Sequence, residues 1–338
     1  MPARGQAMQR ASFAITSWQE ITALGGAYAL QAILVGLGLY FLFPQRSWRL
    51  HTLWGRQRDR YVGWGLAQIG AVFFAWMVLD TVLVLIADML GKRSQEDAAT
   101  QIYVTAVAMP VRLLVSLWII WRLGEVGPAQ IGLHGYRWRQ QLWIGYIHWL
   151  WVTPCVFLVH QGALLLNDWL GTPATPHPIE KILHGPMAWW QVLVVAWVVL
   201  IGAPVWEEFF FRGLLQPWLG RYPLVGDLVL LGHLVLLTGQ AWERNSAWSV
   251  MLIPAIGLGY IAFDRLGKKR LAHPWQARAI YATSLLFATA HADIWPTPVP
   301  IFVLSLALGW LRYRTQSLLA SMVLHSLFNL TSLLAAFL

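Results

Sequence analysis

One apolar stretch of the chain, PVWEEFFFRGLL, carries three ionisable side chains. Glu207 and Glu208 are adjacent, and Arg212 follows four residues after the second carboxylate. On a helix, Glu208 and Arg212 share a face and can pair, whereas Glu207 points about 100° away. The spacing therefore predicts an ion pair that supports a site, and a separate carboxylate at Glu207 that is available for chemistry. A purely structural ion cluster is the alternative for this stretch taken alone.

Two further apolar stretches each carry a histidine at helical spacing. LLFATAHAD places Phe287 one turn before His291, and ASMVLHSLFNL places His325 one turn before Asn329. A lone buried histidine is more often a packing residue than a ligand, so neither stretch is specific alone. Polar groups inside membrane helices are costly, however, and are functional hypotheses by default. The conjunction of a carboxylate pair, two histidines and one asparagine predicts a single shared site.

Two hydrolytic mechanisms fit this set of side chains. Two histidines and one carboxylate can bind a catalytic zinc ion, which lowers the pKa of its bound water towards about 7. Without a metal, Glu207 and His291 can polarise a water directly, while His325 and Asn329 donate to the developing oxyanion. Either mechanism hydrolyses an amide bond, and the sequence does not choose between them. The soluble-protease patterns HExxH and GxSxG are absent from the chain.

The composition predicts a polytopic membrane protein. Hydrophobic residues make up 58% of the 338 residues and charged residues only 12%, whereas roughly 25% are charged in soluble domains. Crossing a bilayer takes an apolar helix of roughly 20 residues, and several stretches approach or exceed that length. The fold class expected is an all-α transmembrane bundle of about 8–10 helices. Ten candidate spans are predicted: 21–43, 62–90, 101–121, 141–166, 187–211, 223–238, 247–263, 277–292, 298–311 and 316–337.

The formal net charge of +9 reflects membrane topology and does not indicate a nucleic-acid partner. Lys and Arg lie in short loops between the apolar runs, and one set of alternate loops holds most of them. Because positive loops stay in the cytoplasm, this asymmetry predicts both termini on the non-cytoplasmic side. We expect an integral protein of the cell membrane of a prokaryote, with the lipid bilayer as its surroundings.

A Pro-rich polar loop at about 167–186 predicts a boundary between N-terminal helices in 1–186 and a C-terminal group in 187–338. Asp80 and Arg112, on different N-terminal helices, are expected to form a structural ion pair. Three single histidines without a partner motif are expected to be packing or interfacial residues: His148, His160 and His233.

Three ordered motifs resemble those of the CPBP family of intramembrane proteases. EEFFFR (207–212), FATAH (287–291) and HSLFN (325–329) match the family patterns EExxxR, FxxxH and HxxxN. The family includes eukaryotic Ras-converting CAAX endopeptidases and prokaryotic bacteriocin-processing or immunity proteins. The resemblance covers about 187–338. It implies a CAAX-like intramembrane metalloendopeptidase or a metal-independent relative, with a membrane-associated peptide or protein as its substrate.

The resemblance also implies a role for each motif residue. The implied catalytic residues are Glu207, Glu208, His291, His325 and Asn329, with Arg212 and Phe287 in support. If the enzyme uses Zn²⁺, the implied ligands are Glu207, His291 and His325. The chain between the first two motifs is longer than is usual in the family, which predicts an inserted hairpin at about 223–263. Two alternatives remain: a catalytically silent family member that acts by binding, as an immunity or scaffold protein, and a transporter or channel.

Overall fold

The computed structural model describes residues 62–90, 98–172, 188–244, 247–270 and 275–335, together with Ile33 and Thr175. Regular structure in these ranges is helical throughout, which confirms the predicted all-α membrane bundle. The first predicted span, 21–43, lies outside the described residues apart from Ile33. Each of the other predicted spans corresponds to a helix in the described ranges.

The helices are, in chain order, α1 (Leu66–Met89), α2 (Ala98–Gly124), α3 (Pro128–Ile131), α4 (Trp138–Trp169), α5 (Trp189–Arg221), α6 (Pro223–Arg244), α7 (Ala247–Arg270), α8 (Trp275–Thr289), α9 (Pro298–Thr315) and α10 (Leu318–Ala335). The described residues include seven helices long and apolar enough to span a membrane: α1, α2, α4, α5, α6, α7 and α10. The sequence pattern did not predict α3, because a single turn shows no periodicity.

Helices α8 and α9, both predicted as spans, are not among the seven. Helix α8 has only 15 residues, and α9 ends in a turn that contains Arg312 and Arg314. Both helices lie inside the bundle, where α8 packs on α5, α6, α7 and α9. A helix enclosed by other helices is apolar on all sides without having to cross the lipid. The apolar sequence of α8 therefore reflects its burial in the protein.

Helix α5 is interrupted by two π-helical segments, Val198–Gly202 and Glu208–Leu215. Pro204 follows the first of them and has no N–H for the carbonyl of Leu200, so ordinary α-helical bonding cannot continue there. Short π-helical segments occur frequently at functional sites. The second segment begins at Glu208 and contains Arg212.

Two glycines allow close helix crossings that position the motif-bearing helices. A Cβ atom on Gly145 of α4 would lie 2.6 Å from the carbonyl oxygen of Ala320 in α10. A Cβ atom on Gly202 of α5 would lie 2.5 Å from the sulfur of Met109 in α2. Because any side chain would collide at these points, α10 and α5 approach their neighbours closely.

The N-terminal helices support α5 at Trp206 and Phe210, next to the first motif. Arg112 Nε donates to Asp80 Oδ1 at 2.8 Å, which confirms the predicted ion pair. Trp76 Nε1 donates to the other oxygen of Asp80 at 2.7 Å. The Trp76 ring packs edge-on against Trp206 and Phe210 of α5, with ring centroids 5.6 and 6.1 Å apart. The ion pair thus fixes an aromatic side chain against the helix that carries the first motif.

Helices α6 and α7 lie where the sequence predicts a hairpin at 223–263. They pack on each other, and both pack on α8. Their status as an insertion stays a prediction, as does the division of the chain into 1–186 and 187–338.

Candidate active site

The Glu208 and Arg212 side chains form a fully buried ion pair in the second π segment of α5. Arg212 Nη1 lies 3.0 Å from Glu208 Oε1, and both side chains are 0% exposed. Arg212 Nη2 also donates to Ser305 Oγ of α9 at 2.7 Å. The guanidinium carbon lies 4.2 Å from the ring centroid of Phe287 in α8. Buried charges persist only with such partners, so this arginine joins α5, α8 and α9 around one carboxylate.

The His325 imidazole contacts both carboxylates of the first motif. Its Nδ1 lies 3.1 Å from Glu208 Oε1, and its Nε2 lies 3.7 Å from Glu207 Oε2. Glu207 is 21% exposed at its side chain and Glu208 is 0% exposed. The α-helical spacing predicted that the two carboxylates diverge, and their exposures differ accordingly. One imidazole still reaches both, because its two nitrogens lie on different edges of the ring.

These contacts define which nitrogen of His325 carries a proton in the neutral ring. An ionised carboxylate paired with Arg212 can only accept hydrogen bonds, so Nδ1–H donates to Glu208. The Nε2 lone pair then faces Glu207. The distance of 3.7 Å between Nε2 and Glu207 Oε2 is too long for a direct hydrogen bond. A water molecule can contact both atoms at once. The Nε2 lone pair and the Glu207 carboxylate are therefore two hydrogen-bond acceptors that one bridging water can join.

Phe287 lies between the two motif histidines. Its ring centroid is 5.0 Å from that of His291 and 5.9 Å from that of His325. Its side chain is fully buried and also carries the Arg212 guanidinium on its face. The aromatic ring thus separates the ion pair from His291 and packs against both imidazoles.

His291 lies in the turn that follows α8 and is partly buried. Its Nδ1 is 2.8 Å from the carbonyl oxygen of Phe287. Within the described ranges, no hydrogen bond or ion pair joins His291 to Glu207 or His325. The structure brings His291 to the same aromatic ring as His325 but not into contact with the carboxylates. Its Nδ1–H donates to a carbonyl, which leaves Nε2 as the nitrogen open to other groups.

Asn329 is engaged with the backbone of α5. Its Nδ2 donates to the carbonyl oxygen of Val199 at 2.8 Å. Val199 belongs to the first π segment, where the usual α-helical hydrogen bonds are shifted by one residue. In this structure the asparagine therefore holds α10 against α5 one turn beyond His325.

The side chains do not assemble a three-ligand metal site in this arrangement. Among the described residues, no three His, Cys, Asp or Glu side chains converge as metal ligands. His325 Nε2 faces Glu207 at 3.7 Å, but His291, the third implied ligand, is bonded to the Phe287 carbonyl and is in contact with neither of them. The implied set of Glu207, His291 and His325 thus does not fit zinc as placed here, and the zinc assignment stays a prediction.

Ser305 is a site residue that sequence reasoning missed. Its hydroxyl accepts from Arg212 Nη2 and is completely buried. A single serine within the apolar run FVLSLAL gives no signal, because serine is common in membrane helices as a packing residue. Only the tertiary contact between α9 and α5 identifies it.

Comparison with known proteins bears on the three motifs. Residues 188–331 match the sequence model of the Rce1-like type II CAAX prenyl endopeptidases. The match includes all three motifs and leaves helices α1 to α4 outside it. No curated protein and no solved structure matches the chain. The resemblance inferred from the motifs is therefore confirmed: residues 188–331 are similar to the Rce1-like family of CAAX-type endopeptidases.

Proposed function

We propose that this integral membrane protein is an endopeptidase that hydrolyses a peptide bond of a membrane-associated peptide or protein. The family match supports this activity class. The observation that carries the mechanism is the position of His325, with Nδ1 at the buried Glu208 and Nε2 directed towards Glu207. In this arrangement, His325 Nε2 and the Glu207 carboxylate can each accept a hydrogen bond from the same water molecule.

Glu207 and His325 Nε2 hold the attacking water between them. As the water oxygen bonds to the scissile carbonyl carbon, its proton passes to the Glu207 carboxylate, which acts as general base. The carbon–nitrogen bond then breaks, and the proton moves from Glu207 to the departing amine. The products are a new carboxyl group and a new amino group. Low local dielectric strengthens each of these electrostatic interactions.

Glu208 and Arg212 act through His325. The Glu208 carboxylate accepts Nδ1–H, fixes the tautomer and keeps the Nε2 lone pair directed at the water, as the carboxylate does in a serine-protease triad. Arg212 balances the charge of Glu208 and ties it to α9 through Ser305. Both residues are therefore positioning residues in this mechanism.

His291 and Asn329 act on the substrate side of the site. His291 presents Nε2, because its Nδ1 is bound to the Phe287 carbonyl. That nitrogen can polarise the scissile carbonyl or assist the leaving amine. Asn329 has one amide N–H bound to Val199, and its second N–H makes no hydrogen bond within the part of the chain that the structure describes. This second N–H of Asn329 donates to the oxyanion that develops on the scissile carbonyl.

Location and orientation are proposals as well. The loop charges favour the plasma membrane of a prokaryote, with both termini on the non-cytoplasmic side.

A catalytically silent protein that binds peptides through the same site is the alternative function, and intact motif residues argue against it.

The direct test is cleavage of peptides by the purified protein in liposomes. Membrane-anchored peptides of varied sequence are incubated in water enriched in ¹⁸O, and products are identified by mass spectrometry. Hydrolysis incorporates one ¹⁸O atom into the new carboxyl group of the N-terminal product. If the protein binds these peptides but cleaves none of them in any condition tested, the result would favour a catalytically silent protein that acts by binding.

A further inference from the structure

His233, predicted from sequence as a packing or interfacial residue, contacts the end of the helix that leads to His291. Its Nε2 lies 2.8 Å from Thr289 Oγ1. Its Nδ1 lies 2.7 Å from the carbonyl oxygen of Val229, one turn earlier on α6. The histidine thus connects the first helix of the α6–α7 hairpin to the last residue of α8, two residues before His291.

The two contacts of His233 fix its ring. A carbonyl oxygen only accepts, so Nδ1–H donates to Val229 and the neutral ring presents an Nε2 lone pair to Thr289. The Thr289 hydroxyl therefore donates to that nitrogen when the two residues are hydrogen-bonded, and the Leu285 carbonyl oxygen, at 2.9 Å, is its competing acceptor. The ring itself is oriented by its own helix through the bond to Val229.

The second helix of the hairpin contacts the other side of the same turn. Trp248 of α7 donates its Nε1–H to Asn167 Oδ1 at 3.1 Å, and Trp295 donates to the same oxygen at 3.0 Å. The two indole rings meet edge to face with centroids 4.9 Å apart. Trp248 is 6% exposed and Asn167 is 3% exposed. Trp295, four residues after His291, is therefore held between α7 and the end of α4.

His291 itself lacks such external support in the described residues. Its backbone N–H and its Nδ1 are bound within its own segment, to Ala288 and Phe287. The turn from Thr289 to Trp295 is consequently fixed at its two ends by His233 and by the Trp248–Asn167 pair. Movement of either end would move His291 relative to Glu207 and His325.

We propose that the α6–α7 hairpin is a positioning element for His291, with His233 and Trp248 as its two points of attachment. This role rests on the proposed function, because it assigns His291 a place in the hydrolytic site. Neither His233 nor Trp248 touches the reacting atoms. They act by restricting the turn between α8 and α9, and a displacement of about 1 Å at a reacting group can lower a rate about 100-fold.

The test combines kinetics with amide hydrogen exchange on the full-length protein in detergent. His233→Ala removes the contact with Thr289, whereas His233→Gln retains an amide that can bond to the same hydroxyl. Trp248→Phe removes the indole N–H and keeps an aromatic ring against Trp295. Leu236→Ala is the matched control on α6, since Leu236 is 64% exposed. Exchange is compared between residues 289–297 and α10.

The expected result is faster exchange in 289–297 for His233→Ala and Trp248→Phe, with α10 and the Leu236→Ala control unchanged. For peptide cleavage, kcat should fall roughly 10- to 100-fold with KM nearly constant. His233→Gln should recover much of the rate. Faster exchange together with an inactive wild-type protein would uphold the positioning role and reject the proposed function. Unchanged exchange in both variants, or equal changes across the whole protein, would overturn the positioning role.

Discussion

The Nδ1 atom of His325 lies 3.1 Å from Oε1 of Glu208, although 117 positions separate the two residues in the chain. This contact joins the third motif to the first and sets the direction of the imidazole. It also explains why a carboxylate is buried beside an arginine at this point of α5. Arg212 holds the Glu208 carboxylate in place, and this carboxylate orients the His325 ring by accepting its Nδ1–H.

Breaking the buried ion pair should destabilise the fold as well as the activity. Glu208→Gln or Arg212→Ala leaves an uncompensated charge or an unpaired polar group in the interior, a loss of about 3–5 kcal/mol for buried pairs. Thermal unfolding of purified variants in detergent measures this effect. Arg139→Ala, at an exposed arginine, is the control and should leave the midpoint unchanged. Wild-type midpoints for both ion-pair variants would show that the pair does not stabilise the fold.

Asn329→Ala should weaken cleavage without abolishing it and should lower stability slightly. The variant loses the hydrogen bond to Val199, which contributes about 1 kcal/mol, and loses the amide expected to assist the oxyanion. Steady-state kinetics and thermal unfolding are measured together. Ser326→Ala, a polar-to-alanine change on the same helix, is the matched control. Complete inactivity of a well-folded Asn329→Ala would instead assign this residue a role in generating the nucleophile.

Metal analysis distinguishes the two hydrolytic mechanisms. The side-chain arrangement supports a water activated by Glu207 and His325, so cleavage should persist after dialysis against a chelator. Elemental analysis of the active protein accompanies the assay. Loss of activity on chelation that is restored by Zn²⁺, with one zinc per chain, would establish the metal-dependent mechanism.

The topology prediction is tested by cysteine labelling. Cys155 is the single cysteine of the chain, so Cys155→Ala provides a cysteine-free background. A cysteine introduced at Leu338 should react with a membrane-impermeant reagent added outside intact cells. Labelling only after the cells are opened would place the C-terminus in the cytoplasm and reverse the predicted orientation.

Contacts within one helix of the site could be predicted from the sequence, whereas contacts between helices could not. The Glu208–Arg212 pair was predictable because residues four apart on a helix are neighbours whatever surrounds them. The attachment of Arg212 to Ser305 depends on how α5 packs against α9. Sequence periodicity carries no information about that packing. His233 was interpreted as a packing or interfacial residue for the same reason, since its partner Thr289 is on another helix.

The short central helices illustrate the limit of hydropathy. Apolar residues on every side of α8 predicted a membrane span, although the helix is enclosed by α5, α6, α7 and α9. Lipid and a surrounding bundle select the same residue types, so composition alone cannot separate them. Helix length, which is 15 residues for α8, was the better signal.

The central claim is that Glu207 takes the proton of the attacking water, and one comparison tests it most directly. Single-turnover cleavage of a membrane-anchored peptide is measured for the wild type, for Glu207→Gln, and for Glu125→Gln as a control at an exposed glutamate. We expect Glu207→Gln to lower the cleavage rate roughly 10²- to 10⁴-fold, the usual contribution of a general base. Its unfolding midpoint should stay close to that of the wild type, because the Glu207 side chain is 21% exposed and is not part of the buried ion pair. A Glu207→Gln protein that cleaves as fast as the Glu125→Gln control would contradict the account.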